Sequence, residues 1–467
     1  MKDLTIRNIA ASSGGTYHGP EMLLDREVSS VTTDSRKAEA GCLFVPLKGE
    51  KSDGHSFIPQ VMEKGALVTL TEREEGMPDC PYILVDSTAE AIQKIAGFYR
   101  RALGIPVVGI TGSVGKTSTK EMIASVLGTK YRVLKTAGNF NNNLGLPLTI
   151  FRITEEDEIA VLEMGISHFG EMDWLAETAA PDTMVITNIG TCHLEFLGDR
   201  DGVFKAKTEC FAHMQPDGFA VLNGEDDKLA EVEEVLGRRP IFYGLSPRCR
   251  IYADAMKPLG LGGTACTIHI DDDEFRVTVP LPGEHMVLNA LAGAAVGALY
   301  GLTPEEIKRG IESMETVGGR FRIRHAGELT VIDDCYNANP MSMKASLHVL
   351  GEIPGGTCAI LGDMGELGET EKELHREVGL DAAALPVSRY LLVGNLAKEI
   401  AEGIREKNPD ADVRHFDTVD ELIPALPSLI RPDDTVLVKA SHFMQFERIT
   451  EALLSDKEED KKGGPEA

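Results

Sequence analysis

IPVVGITGSVGKTSTKEMIASVLG, residues 105–128, is the stretch on which the fold turns. It opens with a continuous apolar run, the pattern of a strand buried on both faces. A glycine turn follows, and then Met122, Ile123, Val126 and Leu127 fall on one face of a helix. A strand, a glycine turn and a helix in that order gather backbone N–H groups around a phosphate and aim the positive helix end at it. Gly112, Ser113, Val114, Gly115, Lys116, Thr117 and Ser118 are therefore candidate nucleotide contacts. Lys116 would bind the phosphates and the Thr117 hydroxyl would bind Mg²⁺. The longer phosphate-loop pattern has glycine where this chain has Ile110, so the motif stands in its shorter GxxGK[ST] form.

Working outward, Ile159–Glu163, Thr183–Asn188, Phe219–Asn223 and Ile241–Tyr243 read as further strands, with helix-like stretches between several of them. Such alternation implies a mostly parallel sheet. CTIHIDDDEFRVTVPL alternates at period two around Asp271–Asp273 and reads as a hairpin. Upstream, Cys42–Leu47 reads as a short strand and Ala89–Leu103 as a helix. Downstream, Leu329–Asp333, Cys358–Leu361, Tyr390–Val393 and Thr435–Lys439 read as strands of a second α/β unit. The expected division is 1–103, 104–317 and 318–455, followed by a charged, disordered tail at 456–467. A chain of 467 residues is also too long for one core.

Glu163 ends one of these strands, and Asn188 and His193 follow the next. Ligands of α/β sheets bind beyond the carboxyl ends of strands, so these side chains and Thr117 are candidates to surround Mg²⁺ ions that bridge ATP phosphates. A single histidine is more often structural, but its step with Glu163 favours a role in the site. Asn141 and Asn142, in TAGNFNNNLGLPLT, read either as turn-shaping amides or as substrate contacts.

Composition excludes several classes. The net charge of −27, with 47 basic against 74 acidic residues, argues against nucleic acid or an anionic membrane as partner. None of the eight cysteines forms a CxxC pair, so neither zinc nor thioredoxin-like chemistry is supported. MKDLTIRNIAASSGG lacks an apolar signal segment, which gives the expectation of a cytoplasmic chain with reduced cysteines. The longest apolar run, Leu288–Leu302, is broken by glycines and reads as a buried helix rather than a membrane span.

An ordered series of motifs resembles the Mur ligases of peptidoglycan synthesis over nearly the whole chain. It runs DSR…LFVPLKGEKSDGHSFI, GITGSVGKTS, GNFNNNLGLP, EMG, NIGTCHLEFLG, AKTE, LPGEHMVLNALA, GGRF, YNANP, LGDMGELG and VLVKAS. The resemblance implies an α/β fold of three domains. These are a small N-terminal domain for a UDP-sugar, a central P-loop domain for ATP, and a C-terminal Rossmann-like domain for the incoming amine. It implies that Ser35, Asp53 and His55 lie near the UDP group, and that Glu163, His193 and a carbamylated Lys207 join Thr117 as metal ligands. It further implies His285 and Asn289 by the adenine, with Arg320 and Asp334 reaching the phosphates and ribose from the third domain. Lys439-Ala440-Ser441-His442 departs from the family's lysine–glycine–serine–arginine run, so no anion contact is carried over to His442.

Within the family, LGDMGELG and YNANP point to the branch that joins D-alanyl-D-alanine to a UDP-muramoyl tripeptide through an acyl phosphate, with a monomer expected. The sister branch, which adds one diamino acid, usually carries an Asp-Asn-Pro-Arg run that is absent here. A folylpolyglutamate-type ligase would lack the DSR…DGHSF domain. A plain P-loop kinase would leave the second α/β unit unexplained. A non-catalytic relative should have lost Lys116, Glu163 or Lys207, and all three are present.

Overall fold

The computed structural model describes residues 1–49, 52–316 and 318–455. The tail expected at 456–467 lies outside the described residues. Three sheets divide the chain. The first holds β1 (Thr16–His18), β2 (Val31–Thr32), β3 (Leu43–Phe44), β4 (Val68–Thr71) and β5 (Tyr82–Leu84) in the order β1-β5-β4-β3-β2. Only the β1–β5 pair is antiparallel. The strand expected over Cys42–Leu47 is cut to Leu43–Phe44, and Pro46, which has no N–H, limits its extension.

The second sheet holds β6 (Val107–Thr111), β7 (Val133–Lys135), β8 (Ile159–Glu163), β9 (Thr183–Ile186), β10 (Phe219–Asn223), β11 (Ile241–Gly244), β12 (Ile251–Pro258), β13 (Thr264–Ile270) and β14 (Asp273–Val279). Its order is β14-β13-β12-β11-β10-β9-β6-β8-β7. It is parallel from β7 through β12 and antiparallel across β12–β13–β14. The hairpin read around Asp271–Asp273 is the β13–β14 pair, closing at Ile270 opposite Asp273. β6 sits between β8 and β9 and is buried along its whole length, as its unbroken apolar run requires.

The third sheet holds β15 (Arg322–Ala326), β16 (Leu329–Asp333), β17 (Thr357–Gly362), β18 (Arg389–Val393), β19 (Val413–Phe416) and β20 (Thr435–Lys439) in the order β15-β16-β20-β17-β18-β19. All its pairs are parallel except β15–β16. Separate cores cover its two faces, one built on Leu347, Leu361 and Ile400, the other on Ile360, Val436 and Ile449.

The first two sheets share a core. One continuous cluster runs from Ile6, Ile9, Leu70 and Ile83 through Ile92 and Ile95 of the helix Thr88–Leu103 to Val107, Leu162 and Leu175 of the central unit. A polar clamp reinforces it. Arg100 Nη2 donates to Asp182 Oδ2 at 2.7 Å, and the same oxygen accepts the Val107 N–H at 2.8 Å. The other face of the central sheet packs on the helices Lys116–Leu127, Glu284–Leu299 and Pro304–Glu312. The run Leu288–Leu302 thus lies mostly within a buried helix, and no helix among the described residues is long and apolar enough to cross a membrane. All eight cysteines are free, seven of them buried and Cys80 partly so.

Candidate active site

Beyond β6 the chain makes the turn 112–115 and enters the helix Lys116–Leu127. Two glycines are required there. At Gly112 (φ +145°) a Cβ would lie 1.9 Å from Thr187 Oγ1, and Gly115 (φ +81°) sits at the helix N-cap in the left-handed region. Neighbouring strand ends hold the loop. Asn188 Oδ1 accepts the Val114 N–H at 2.9 Å while its Nδ2 donates to Val114 O at 3.0 Å, and Thr187 Oγ1 donates to the same carbonyl at 2.6 Å. Asn188, read from sequence beside the metal, therefore spends its amide on the shape of the loop. Lys116 Nζ donates to Gly112 O at 2.9 Å, and desolvation pulls its proton affinity below that of an ordinary lysine.

Glu163, at the carboxyl end of β8, is buried and meets this loop directly. Its Oε2 accepts from Thr117 Oγ1 at 2.9 Å, and its Oε1 accepts from Asn141 Nδ2 at 2.8 Å. Lys120, 1% exposed, lies 3.9 Å from the same carboxylate, bonds Thr136 O at 2.8 Å and pairs with Glu121 at 2.9 Å. This buried cation was not singled out in the sequence because its helix position looks like any polar face. Both asparagines line the cleft described below, and both also bond locally. Asn141 orients Glu163, while the exposed Asn142 accepts the Gly145 N–H at 2.8 Å, opening the helix Gly145–Ile150.

His193 follows β9 with a left-handed backbone (φ 54°) and places Nδ1 2.6 Å from Glu366 Oε2 of the third unit. Lys207, near the end of the helix Arg200–Thr208, is 1% exposed, and its ammonium has no hydrogen bond or ion pair among the described residues. Burial lowers its pKa to about 8, and the nearby Lys116 charge adds to that effect. Among the described residues no three His, Cys, Asp or Glu side chains gather as a metal group. A cation beside Glu163 would therefore draw on other donor types, such as the Thr117 hydroxyl.

A cleft of about 420 Å³ unites most of these groups. From the central unit it is lined by Ser113 to Lys116, Ser118, Asn141, Asn142, Glu163, His193, His285 and Asn289, and from the third unit by Arg320, Asp334, Tyr336, Ser346 and Lys439. His285 is desolvated, with a pKa lowered to about 4, so it is a neutral imidazole. Asn289 Oδ1 accepts from Thr119 Oγ1 at 2.9 Å, which ties the helix Glu284–Leu299 to the phosphate-loop helix. Asp334 accepts from Ser346 Oγ and from Lys439 Nζ, both at 2.6 Å, and from the Phe321 N–H at 3.1 Å. The Arg320 guanidinium lies over the Tyr336 ring, 4.2 Å from its centroid, and His442 stacks on the same ring at 5.5 Å. Tyr336 and Lys439 were carried only as parts of the YNANP and VLVKAS motifs. Their position in the cleft is visible only once β16 and β20 are adjacent.

Ser35, Asp53 and His55 are not brought to this cleft. They sit by the first sheet, where Asp53 Oδ1 accepts the His55 N–H at 2.9 Å and lies 2.7 Å from its Nδ1. His55 Nε2 then accepts the Glu72 N–H at 3.1 Å, which fixes a tautomer with the proton on Nδ1. The Ser35 carbonyl accepts from Lys64 Nζ at 2.8 Å.

Three family models match the chain. The Mur ligase family catalytic domain matches residues 27–112, the Mur ligase middle domain 110–297, and the Mur ligase glutamate ligase domain 319–442. The chain is 38% identical to the "UDP-N-acetylmuramoyl-tripeptide--D-alanyl-D-alanine ligase" of Bacillus subtilis (strain 168), over 96% of this chain and 98% of that protein. It is 36% identical to the Escherichia coli (strain K12) protein of the same name, over 97% and 99%. A crystal structure of MurF from Acinetobacter baumannii superposes with a TM-score of 0.89 at 32% identity, over 97% of this chain and 98% of that one. MurF ligase from Thermotoga maritima in complex with ADP superposes at 0.83 and 32% identity, over 92% and 98%. With these matches spanning all three sheets, the chain belongs to the Mur ligase family.

Proposed function

We propose that this chain is an ATP-dependent ligase that adds D-alanyl-D-alanine to UDP-N-acetylmuramoyl-tripeptide, acting as a cytoplasmic monomer in peptidoglycan precursor synthesis. The observation that carries the proposal is the cleft in which Ser113 to Lys116 of the phosphate loop and Glu163 face Arg320, Asp334 and Lys439 of the third unit. The near full-length identity to ligases named for this reaction supports the choice of substrates.

A carboxylate is a poor acyl donor and must be activated. Its oxygen attacks the γ-phosphorus of ATP, giving an acyl phosphate and ADP. The dipeptide amine then attacks the carbonyl carbon, and phosphate leaves. The loop N–H groups and Lys116 hold the phosphates and offset charge where it develops. Arg320 brings a second cation from the other wall, His285 and Asn289 flank the adenine, and Asp334 meets the ribose. Ser35, Asp53 and His55 take the UDP group. Seating the third unit on the central one aligns the amine and keeps water from the acyl phosphate.

Thr117, Glu163, His193 and a carbamylated Lys207 would hold Mg²⁺, which when bound neutralises charge on the phosphoryl group in transfer. The donor set fits. Among the described residues the buried Lys207 ammonium has no partner, and a pKa near 8 gives access to the neutral amine that carbamylation requires. A carbamate reverses the charge and supplies the oxygen donors that Mg²⁺ prefers.

The test is to incubate the protein with ATP, Mg²⁺, the UDP-muramoyl tripeptide and D-alanyl-D-alanine and to weigh the product. A mass gain of one dipeptide less one water, with ADP released only when both substrates are present, is expected. An unchanged tripeptide mass at saturation, or rapid ATP hydrolysis without an acyl substrate, would remove the assignment.

A further inference from the structure

LGDMGELG, residues 361–368, entered the sequence reading as a branch marker without a task. The fold gives it one. Past β17, Asp363 accepts the N–H groups of Asn395 and Ala397 at 3.1 and 2.7 Å. The Met364 N–H donates to His375 Nε2 and the Gly365 N–H to Ser441 Oγ, both at 2.9 Å. The stem of the turn is thus anchored on three sides within the third unit. From this stem Glu366, itself left-handed at φ 61°, extends its carboxylate to within 2.6 Å of His193 Nδ1 on the central unit. That Nδ1 is buried and has no aligned hydrogen bond among the described residues, so the Glu366 carboxylate stands against it as an ion-pair contact and is the polar group nearest to its proton. Alongside, the two backbones nearly touch, because a Cβ at Gly368 would lie 3.3 Å from Glu195 Cα.

An imidazole whose Nδ1 faces a carboxylate keeps its proton there and presents the Nε2 lone pair, with the ring orientation fixed. We infer that Glu366 is a positioning residue: when the third unit seats, its carboxylate sets the tautomer and angle of His193, so that cation binding at the central unit is completed only by docking of the amine-binding unit. This rests on the reading of His193 as a metal ligand given above.

Binding of Mn²⁺ to the full chain with ADP present, followed by the electron paramagnetic resonance signal of the free ion, tests the inference. The variants are Glu366→Ala, Glu366→Gln, His193→Ala and the His193→Ala/Glu366→Ala double variant. Glu366→Ala should weaken Mn²⁺ binding about 10- to 100-fold, as loss of a partner behind a metal-bound histidine does. Glu366→Gln, whose amide oxygen still accepts from Nδ1–H, should stay within about threefold of wild type. In the His193→Ala background, Glu366→Ala should cost nothing further. Since the Glu366 side chain is half exposed, thermal unfolding should stay near wild type and report that the variants fold. Unchanged Mn²⁺ binding in Glu366→Ala overturns the inference. So does an equal loss in both backgrounds, or a Gln variant as damaged as the Ala variant. If His193→Ala itself binds Mn²⁺ normally, the metal reading falls and this inference falls with it.

Discussion

Two side chains carry most of the chemistry that can be tested one residue at a time. His285 has its pKa lowered to about 4 by desolvation, against an ordinary 6.5. Between these values the unfolded chain holds a proton at this site that the folded chain does not, so stability falls as pH drops through the window and levels off below about 4. The difference in unfolding free energy between wild type and His285→Gln should therefore shrink by up to about 3 kcal/mol from pH 6.5 to 4, as read from urea unfolding at several pH values. Lys207 shows the opposite economy. In its unmodified form the buried Lys207 ammonium, unpaired among the described residues, destabilises the fold, so in the absence of carbon dioxide and Mg²⁺ Lys207→Met should unfold at the same or a higher temperature than wild type, while turnover under assay conditions drops at least about 100-fold. A variant that loses stability along with activity would show Lys207 to be a packing residue. Of the candidate residues, those in the phosphate loop were legible because their spacing has a mechanism. Lys120 and Glu366 were not, since what distinguishes them is burial and a partner far away in sequence.

Among the parallel strands of the second and third sheets, legibility largely followed position in the sheet. Strands with neighbours on both sides, such as β6, β8, β10, β16 and β20, announce themselves as apolar runs, because both of their faces are covered. β7, β15 and β19 were missed, and each is an edge strand carrying charged or half-exposed residues such as Lys135, Arg322 and Arg414. An edge strand is kept short and polar to prevent pairing with other chains, which erases the signal that would reveal it. β12 was missed for a related reason, since only its first three residues are covered and the rest run out exposed. The phosphate turn is the element most sensitive to substitution. Gly112→Ala forces a methyl group onto Thr187, whose hydroxyl already bonds Val114 O. The expected cost is about 2–3 kcal/mol of stability, measured by chemical denaturation, together with loss of ATP binding. A variant as stable as wild type would mean that the turn relaxes and that its shape is not set by Thr187.

For the molecule as a whole, three sheets do not make three independent bodies. The cluster that joins Ile9 and Ile92 to Val107 and Leu162 leaves no seam between the first unit and the central one, whereas the third unit closes its own cores. A chain of residues 1–103 alone should accordingly show no cooperative unfolding transition by circular dichroism, while residues 1–316 should show one. Cooperative melting of the shorter piece would refute the shared core. The sequence suggested the boundary near 103 because a new apolar strand and its glycine turn begin at Ile105, but a core that forms across a boundary leaves no local pattern. On the proposed assignment of the UDP group to Ser35, Asp53 and His55, the fused core sets a fixed gauge. The span from sugar nucleotide to phosphate loop cannot stretch during turnover, so a donor whose peptide is one residue too short falls short of the γ-phosphorus, and length is measured before any side chain is inspected.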